Sequence, residues 1–195
     1  MLRFPANVAL SEVPVNLVAL TDDTDFKTRE TAVAYNAAGM DLVWNFLAAD
    51  GAFTQTAVTP TSGGVYDWTH QGDGQYTIEI PATGGASINN NQVGTGWFSG
   101  VATGVLPWTG PLVEFVQGGA ITSGTPTTTS FVSSHLSAAV TDFYVDAFVV
   151  FLTGACAGCG PKKITAFNHS TDTVTCEALP TAPSVNDLFY LVTGA

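Results

Sequence analysis

Charge is scarce in this chain. Only 11% of its 195 residues are Asp, Glu, Lys or Arg, against about 25% in an ordinary globular domain. Five residues are basic and 16 acidic, for a net charge of −11. The five cations, Arg3, Lys27, Arg29, Lys162 and Lys163, form no stripe. Phosphate contacts need several cations on one face, so nucleic acid is not an expected partner. Anionic membrane surfaces are excluded on the same ground. Long apolar runs are missing too. The longest is Ala147 to Leu152, well short of the roughly 18 residues of a spanning helix. Pro5, Asn7, Ser11, Glu12 and Pro14 interrupt the first twenty residues. No signal peptide is therefore expected, and the chain is expected to be made in a cytoplasm and to stay soluble.

Catalytic signatures are equally thin. There is no GxSxG elbow and no phosphate-cradling glycine loop before a helix. His70, His135 and His169 are the only imidazole bases, and no motif surrounds any of them. Asp22, Asp23 and Asp25 cluster, but the glycine and glutamate that a helix-flanked calcium loop requires are absent. A solvated turn is the simpler reading of that cluster. No enzyme activity and no cofactor are expected.

Cysteine is rare, at three residues. Cys156 and Cys159 in the spacing CAGC, with His169 and Cys176 downstream, could supply four tetrahedral zinc ligands. The competing reading is that the thiols are small apolar side chains in or near strands. A catalytic redox pair is disfavoured, because the cysteines do not open a helix that would stabilise a thiolate.

What the chain has is apolar content, 46% by residue type, with threonine, serine and glycine turns. That excludes disorder. Residues 63–81, GGVYDWTHQGDGQYTIEIP, hold a hairpin signal. Tyr76, Ile78 and Ile80 alternate with polar neighbours, and Gly72-Asp73-Gly74 supplies the turn. Further strands are expected at 15–20, 31–35, 40–47, 53–59, 96–104 and 111–116. This spacing predicts an all-β fold, an antiparallel β-sandwich of immunoglobulin-like or jelly-roll-like form, over residues 15–117. Residues 118–130, GGAITSGTPTTTS, read as a linker. A small β-unit over 131–195 is expected to follow, with strands at 131–140, 144–152, 162–167, 173–178 and 188–192.

Residues 1–14 read as an arm. Leu2, Phe4, Val8 and Leu10 are too apolar to float freely and are candidate subunit contacts, as is the stretch 125–130. Tyr66, Trp68, Trp97, Phe98 and Trp108 are candidates for stacking on a sugar ring, with Trp68, Trp97 and Trp108 as the platform. The alternative is that they fill the core.

The segment VPVNLVALTDDTDFKTRETAVAYNAAGMDLVWNF (residues 13–46), with the 63–81 hairpin, resembles N-terminal modules of tailed-bacteriophage virion proteins. These are tail-fibre, baseplate and head-surface or decoration proteins. ITAFNHSTDTVTCEALP (residues 164–180), followed by a proline-bounded last strand, is similar to a small β-module of the same proteins. The resemblance implies a non-enzymatic structural protein of a tailed-phage virion, assembled in the host cytoplasm. Its implied partners are other virion structural proteins and further copies of itself, a homotrimer foremost. It carries over no catalytic residue. Cys156 and Cys159 stand where the module has small residues. A carbohydrate-binding module for host-surface attachment is the alternative function, with a host surface glycan as its partner.

Overall fold

The computed structural model describes residues 2–6, 13–14, 18–63, 66–80, 92–136 and 138–192. The protein is all-β, and most of its strand pairs are antiparallel. No helix occurs among the described residues. The chain divides into two compact units, residues 1–3 with 9–115, and residues 4–8 with 116–195.

Among the described residues, ten strands precede residue 117. They are β1 (Leu2–Pro5), β2 (Val13–Pro14), β3 (Val18–Ala19), β4 (Asp41–Ala48), β5 (Phe53–Val58), β6 (Trp68–Gly72), β7 (Gln75–Ile80), β8 (Gly94–Ala102), β9 (Val105–Thr109) and β10 (Val113–Val116). The larger sheet runs β1-β10-β8-β4-β5, and β9 also pairs with β8. In the smaller sheet β7 is central, with β6 on one side and β2 and β3 on the other. The period of two works as the sequence demands. Leu42, Trp44 and Phe46 of β4 are buried with Phe98 of β8 and with Val113 and Phe115 of β10. Trp44 lies 4.7 Å from Phe98 and 6.2 Å from Phe115, ring centre to ring centre. Trp68 stacks on Tyr76 at 5.0 Å and meets Trp108 at 5.8 Å. The hairpin forms as expected, with Tyr76 and Ile78 buried and Asp73 exposed at its tip. The side chain of Ile80 lies outside the described residues.

Three local expectations are corrected here. Residues 31–35 are not a strand. Both backbone groups of Val33 go to side chains: Tyr76 Oη accepts from Val33 N and donates to the neighbouring Glu30 O, while Trp68 Nε1 donates to Val33 O. Between the strands expected at 96–104 and 111–116 a further one appears: Val105–Thr109 forms β9 after a tight turn at Thr103-Gly104. Pro107, which has no amide to donate, sits where the β8–β9 register slips between Gly100 and Ala102. That is a place where a strand tolerates proline. The expected arm, read as a candidate subunit contact, begins as a strand of this chain's own sheet: β1 pairs with β10, and Arg3 Nε is on Glu114 Oε2.

The second unit holds β11 (Gly118–Ala120), β12 (Ser130–Val132), β13 (Phe148–Phe151), β14 (Lys162–Asn168), β15 (Thr173–Cys176) and β16 (Leu188–Val192). Their order is β11-β16-β13-β14-β15-β12. The two ends of this path meet, since Thr122 N donates to Val132 O at 2.9 Å and Ser123 bridges Val132. The sheet therefore closes on itself around Ile121, Phe131, Val149, Ile164, Val174 and Phe189. Closure removes the exposed edges that a short sheet would otherwise present.

The linker expected at 118–130 is thus built into this unit. Gly118–Ala120 pairs with Tyr190 to Leu188, and Ile121 is fully buried. Its first four residues, Gly118 to Ile121, are buried or half-buried in this unit, while Ser123 to Thr129 form a mostly exposed loop that leads into β12. The expected strand at 131–140 is confined to β12, after which the chain makes a Ser133–Leu136 turn. Residues 144–147 form turns before β13, with Asp142 N on Phe167 O and Ala147 N on Tyr144 O.

Candidate functional site

The cysteine and histidine candidates do not converge. Cys176 lies opposite Ile164 at one end of the β14–β15 hairpin, and His169 lies in the turn at the other end. Four residues of strand separate those ends, about 13 Å at 3.3 Å per residue. His169 Nδ1 pairs with Thr141 Oγ1 at 2.8 Å. No group of three His, Cys, Asp or Glu able to hold a metal occurs among the described residues. Cys156 and Cys176 are buried in the second core, with Cys159 packed against it. Burial pushes the Cys176 thiol up to about 11 and raises that of Cys156.

The other histidines are apart as well. His70 leans on the Tyr76 ring at 4.9 Å and accepts from Gly74 N. His135 Nδ1 faces Ala120 N. The aspartate cluster is a pair of side-chain-capped turns. Asp22 Oδ1 accepts from Thr24 N and Asp25 N, and Asp25 Oδ1 accepts from Lys27 N and Thr28 N. The Asp25 and Thr24 amides hold the Asp22 carboxyl below its ordinary value. For Asp25 the Thr28 hydroxyl does most of this, helped by the Thr28 and Lys27 amides. This is how aspartate stabilises a loop without a ligand.

The sugar-platform tryptophans separate. Trp68 and Trp108 are core residues, 7% and 9% exposed. Trp97 alone stands on the outer surface. The arm candidates separate too. Leu2 is exposed on β1, Phe4 is half-buried, and Val8 and Leu10 lie outside the described residues.

The feature the sequence did not single out is the outer face of the larger sheet, the side away from Trp44 and Phe98. Register places Phe53 and Leu47 in one cross-strand row with Thr95 and Glu114. Gln55, Asn45 and Trp97 make the next row, and Ala57, Val43, Ser99 and Thr109 the third. Asp41 and Val101 close the series. Phe53 is 52% exposed and Leu47 44%; Leu112, just before the inward Val113, is 49% exposed. Trp97 and Phe53 stack over the intervening β4, ring centres 6.0 Å apart and planes 28° apart.

Beneath that pair sits Asn45, only 4% exposed though it points outward. Its amide is fully engaged. Nδ2 donates to Ser99 Oγ at 2.9 Å and to Trp97 O, and Oδ1 accepts from Gln55 Nε2 at 2.9 Å. A polar ladder across three strands thus underlies an aromatic and aliphatic surface. A shallow groove of about 380 Å³ continues the face between Asp41, Val43, Ser99, Val101, Pro107 and Thr109. Charge is confined to the margin. Glu114 is neutralised by Arg3, and Asp41 stands at the far end. On a chain of net charge −11, such a face is where a partner meets least electrostatic opposition.

A signal for this face was present in the sequence. Asp41, Val43, Asn45 and Leu47 alternate with the core residues, and two of those four are apolar. A solvated antiparallel face would be mostly polar. The fold and this face define an all-β protein with an uncharged, partly apolar sheet surface. The chain matches no protein-family model and no curated protein.

Proposed function

We propose that this protein is a non-enzymatic structural component of a tailed-phage virion. It belongs to the tail or head surface, is assembled in the host cytoplasm, and works through protein–protein contacts. The observation that carries the assembly role is the outer face of the β1-β10-β8-β4-β5 sheet. The phage setting rests on the resemblance of residues 13–46, 63–81 and 164–180.

The occupant of that face is a second copy of the chain, in a homo-oligomer with a trimer favoured. Copies of net charge −11 repel one another, and this surface is close to neutral. With β9 its six strands hold 36 residues, a flat extent of about 570 Å² at 4.8 Å spacing and 3.3 Å per residue. With side-chain relief, that approaches the roughly 800 Å² per partner of a stable interface. The paired variant Phe53→Ser/Leu112→Ser removes two half-exposed apolar groups without touching the core. It is expected to dissociate the oligomer and leave the circular dichroism unchanged. An oligomer as stable as wild type would refute the assignment of the face.

A second reading draws on the stacked Trp97 and Phe53 beside Gln55 and Ser99. Aromatic rings beside amide and hydroxyl groups suit a neutral sugar. On that reading, glycans quench or shift Trp97 fluorescence in wild type and not in Trp97→Ala. An array with no hits and an unmoved spectrum would remove it.

A further inference from the structure

Three free thiols gather in the second unit, and none is used by the assembly role. Cys156 and Cys159 occupy the first and last positions of a single tight turn. Cys159 N donates to Cys156 O at 3.1 Å, and Gly158, third in the turn, has φ 78°. A positive φ at that position with this hydrogen bond is the type II turn. Such a turn keeps its end Cα atoms within about 7 Å, and a disulfide spans about 4.4–6.8 Å between Cα atoms.

The two thiols differ in access. Cys156 is buried, with Sγ on Thr181 O at 3.1 Å, while Cys159 is partly exposed and turned toward Ala155 O at 3.8 Å. The Cys159 thiol is near enough to contribute to the raised pKa of Cys156. Cys176 is held in β15 inside the core, opposite Ile164.

We propose that Cys156 and Cys159 are a redox modification site, and that an oxidising disulfide compound joins them across the turn. Cys159 gives up its proton, and its thiolate attacks one sulfur of a small-molecule disulfide. A mixed disulfide forms and one thiolate leaves. Cys156 then loses its proton and attacks the Cys159 sulfur, expelling the second thiol. Two protein thiols lose two protons and two electrons, and the reagent disulfide is reduced to two thiols. Cys176 takes no part, because it is fixed in β15 opposite Ile164 and lies outside the turn that brings Cys156 and Cys159 together. The product is a clamp on the 154–160 loop rather than a catalyst, since no helix N-terminus is present to activate a thiolate.

The experiment equilibrates the full chain in buffers of reduced and oxidised glutathione. The chain is then denatured, free thiols are alkylated, and peptides are mapped by mass. At the oxidising end the expected result is a mass lower by about 2 Da, one alkylated thiol out of the three, and a Cys156–Cys159 link. Cys176→Ala is expected to keep the link and Cys159→Ser to lose it. Three alkylated thiols at every ratio, a Cys156–Cys176 link or only intermolecular bonds would each overturn the proposal. The wild-type map decides the matter even if a variant does not fold.

Discussion

Adding one methyl group at Gly96 should destabilise the first unit by about 2 kcal/mol. Gly96 of β8 pairs with Phe46, and its inward side is covered by the benzo ring of Trp44. A Cβ there would overlap Cζ2 and Cη2 of that indole and lie 2.8 Å from Cε2. Trp44 has nowhere to go. It is fully buried, with Phe98 at 4.7 Å and Phe115 at 6.2 Å. Overpacking of this kind costs about 1–3 kcal/mol, and a tight site belongs at the upper end. Alanine recovers about 0.5–1 kcal/mol of the backbone entropy that glycine loses in a strand. The remainder is about 2 kcal/mol, a fall of about 1 M in urea midpoint for a domain this size. The double variant isolates the cause. Trp44→Phe deletes the atoms that the methyl would strike, and with them an indole N–H that has no partner. In that background Gly96→Ala should cost almost nothing, giving a coupling of about 2 kcal/mol between the two sites. Urea titrations of the four proteins measure it. Strictly additive effects would refute the packing of β4 against β8 described above.

Tyr76→Phe should cost about 1–3 kcal/mol and speed amide exchange at Val33, because it strands the Val33 N–H and Glu30 carbonyl that the hydroxyl serves. Unchanged stability and exchange would contradict that. Gly154→Ala should be destabilised by at least about 2 kcal/mol, since its Cβ would overlap the buried Asp187 carboxylate; thermal melts provide the check. Alkali should also weaken the second unit. The Cys176 thiol is raised from 9.0 to about 11 in the folded state, so its contribution is complete below pH 9 and disappears as pH climbs to about 11. Melting temperatures across that range should fall, and Cys176→Ala should flatten the early part of the fall. A flat wild-type curve would contradict the burial of that thiol.

The all-β class and the opening hairpin were legible because they rest on local rules. Tyr76 and Ile78 alternate with polar residues directly after an Asp-Gly turn. Leu42, Trp44 and Phe46 likewise declared a core-facing strand. What escaped was decided at long range. Thr31 to Tyr35 has the composition of a strand, yet the backbone partners of Val33 at its centre are the side chains of Trp68 and Tyr76, over thirty residues away. The glycine-rich start of 118–130 read as a linker because small residues signal flexibility. Here they permit close approach, and a Cβ at Gly119 would strike His135 and Ser133. The tryptophans show the same division. Nothing near Trp68, Trp97 or Trp108 in the chain says which faces outward, and only sheet register settles it. The outer face itself needs three strands in register before Phe53, Asn45 and Trp97 meet.

The proposed assembly role is tested most directly by the mass of the full chain in solution, measured by light scattering over a wide concentration range. The outer face predicts a multiple of the 20.2 kDa chain, a trimer foremost, that Phe53→Ser/Leu112→Ser reduces to the single-chain mass while the melting curve stays in place. A wild-type mass of 20.2 kDa at every concentration, or a multiple indifferent to those substitutions, would contradict it.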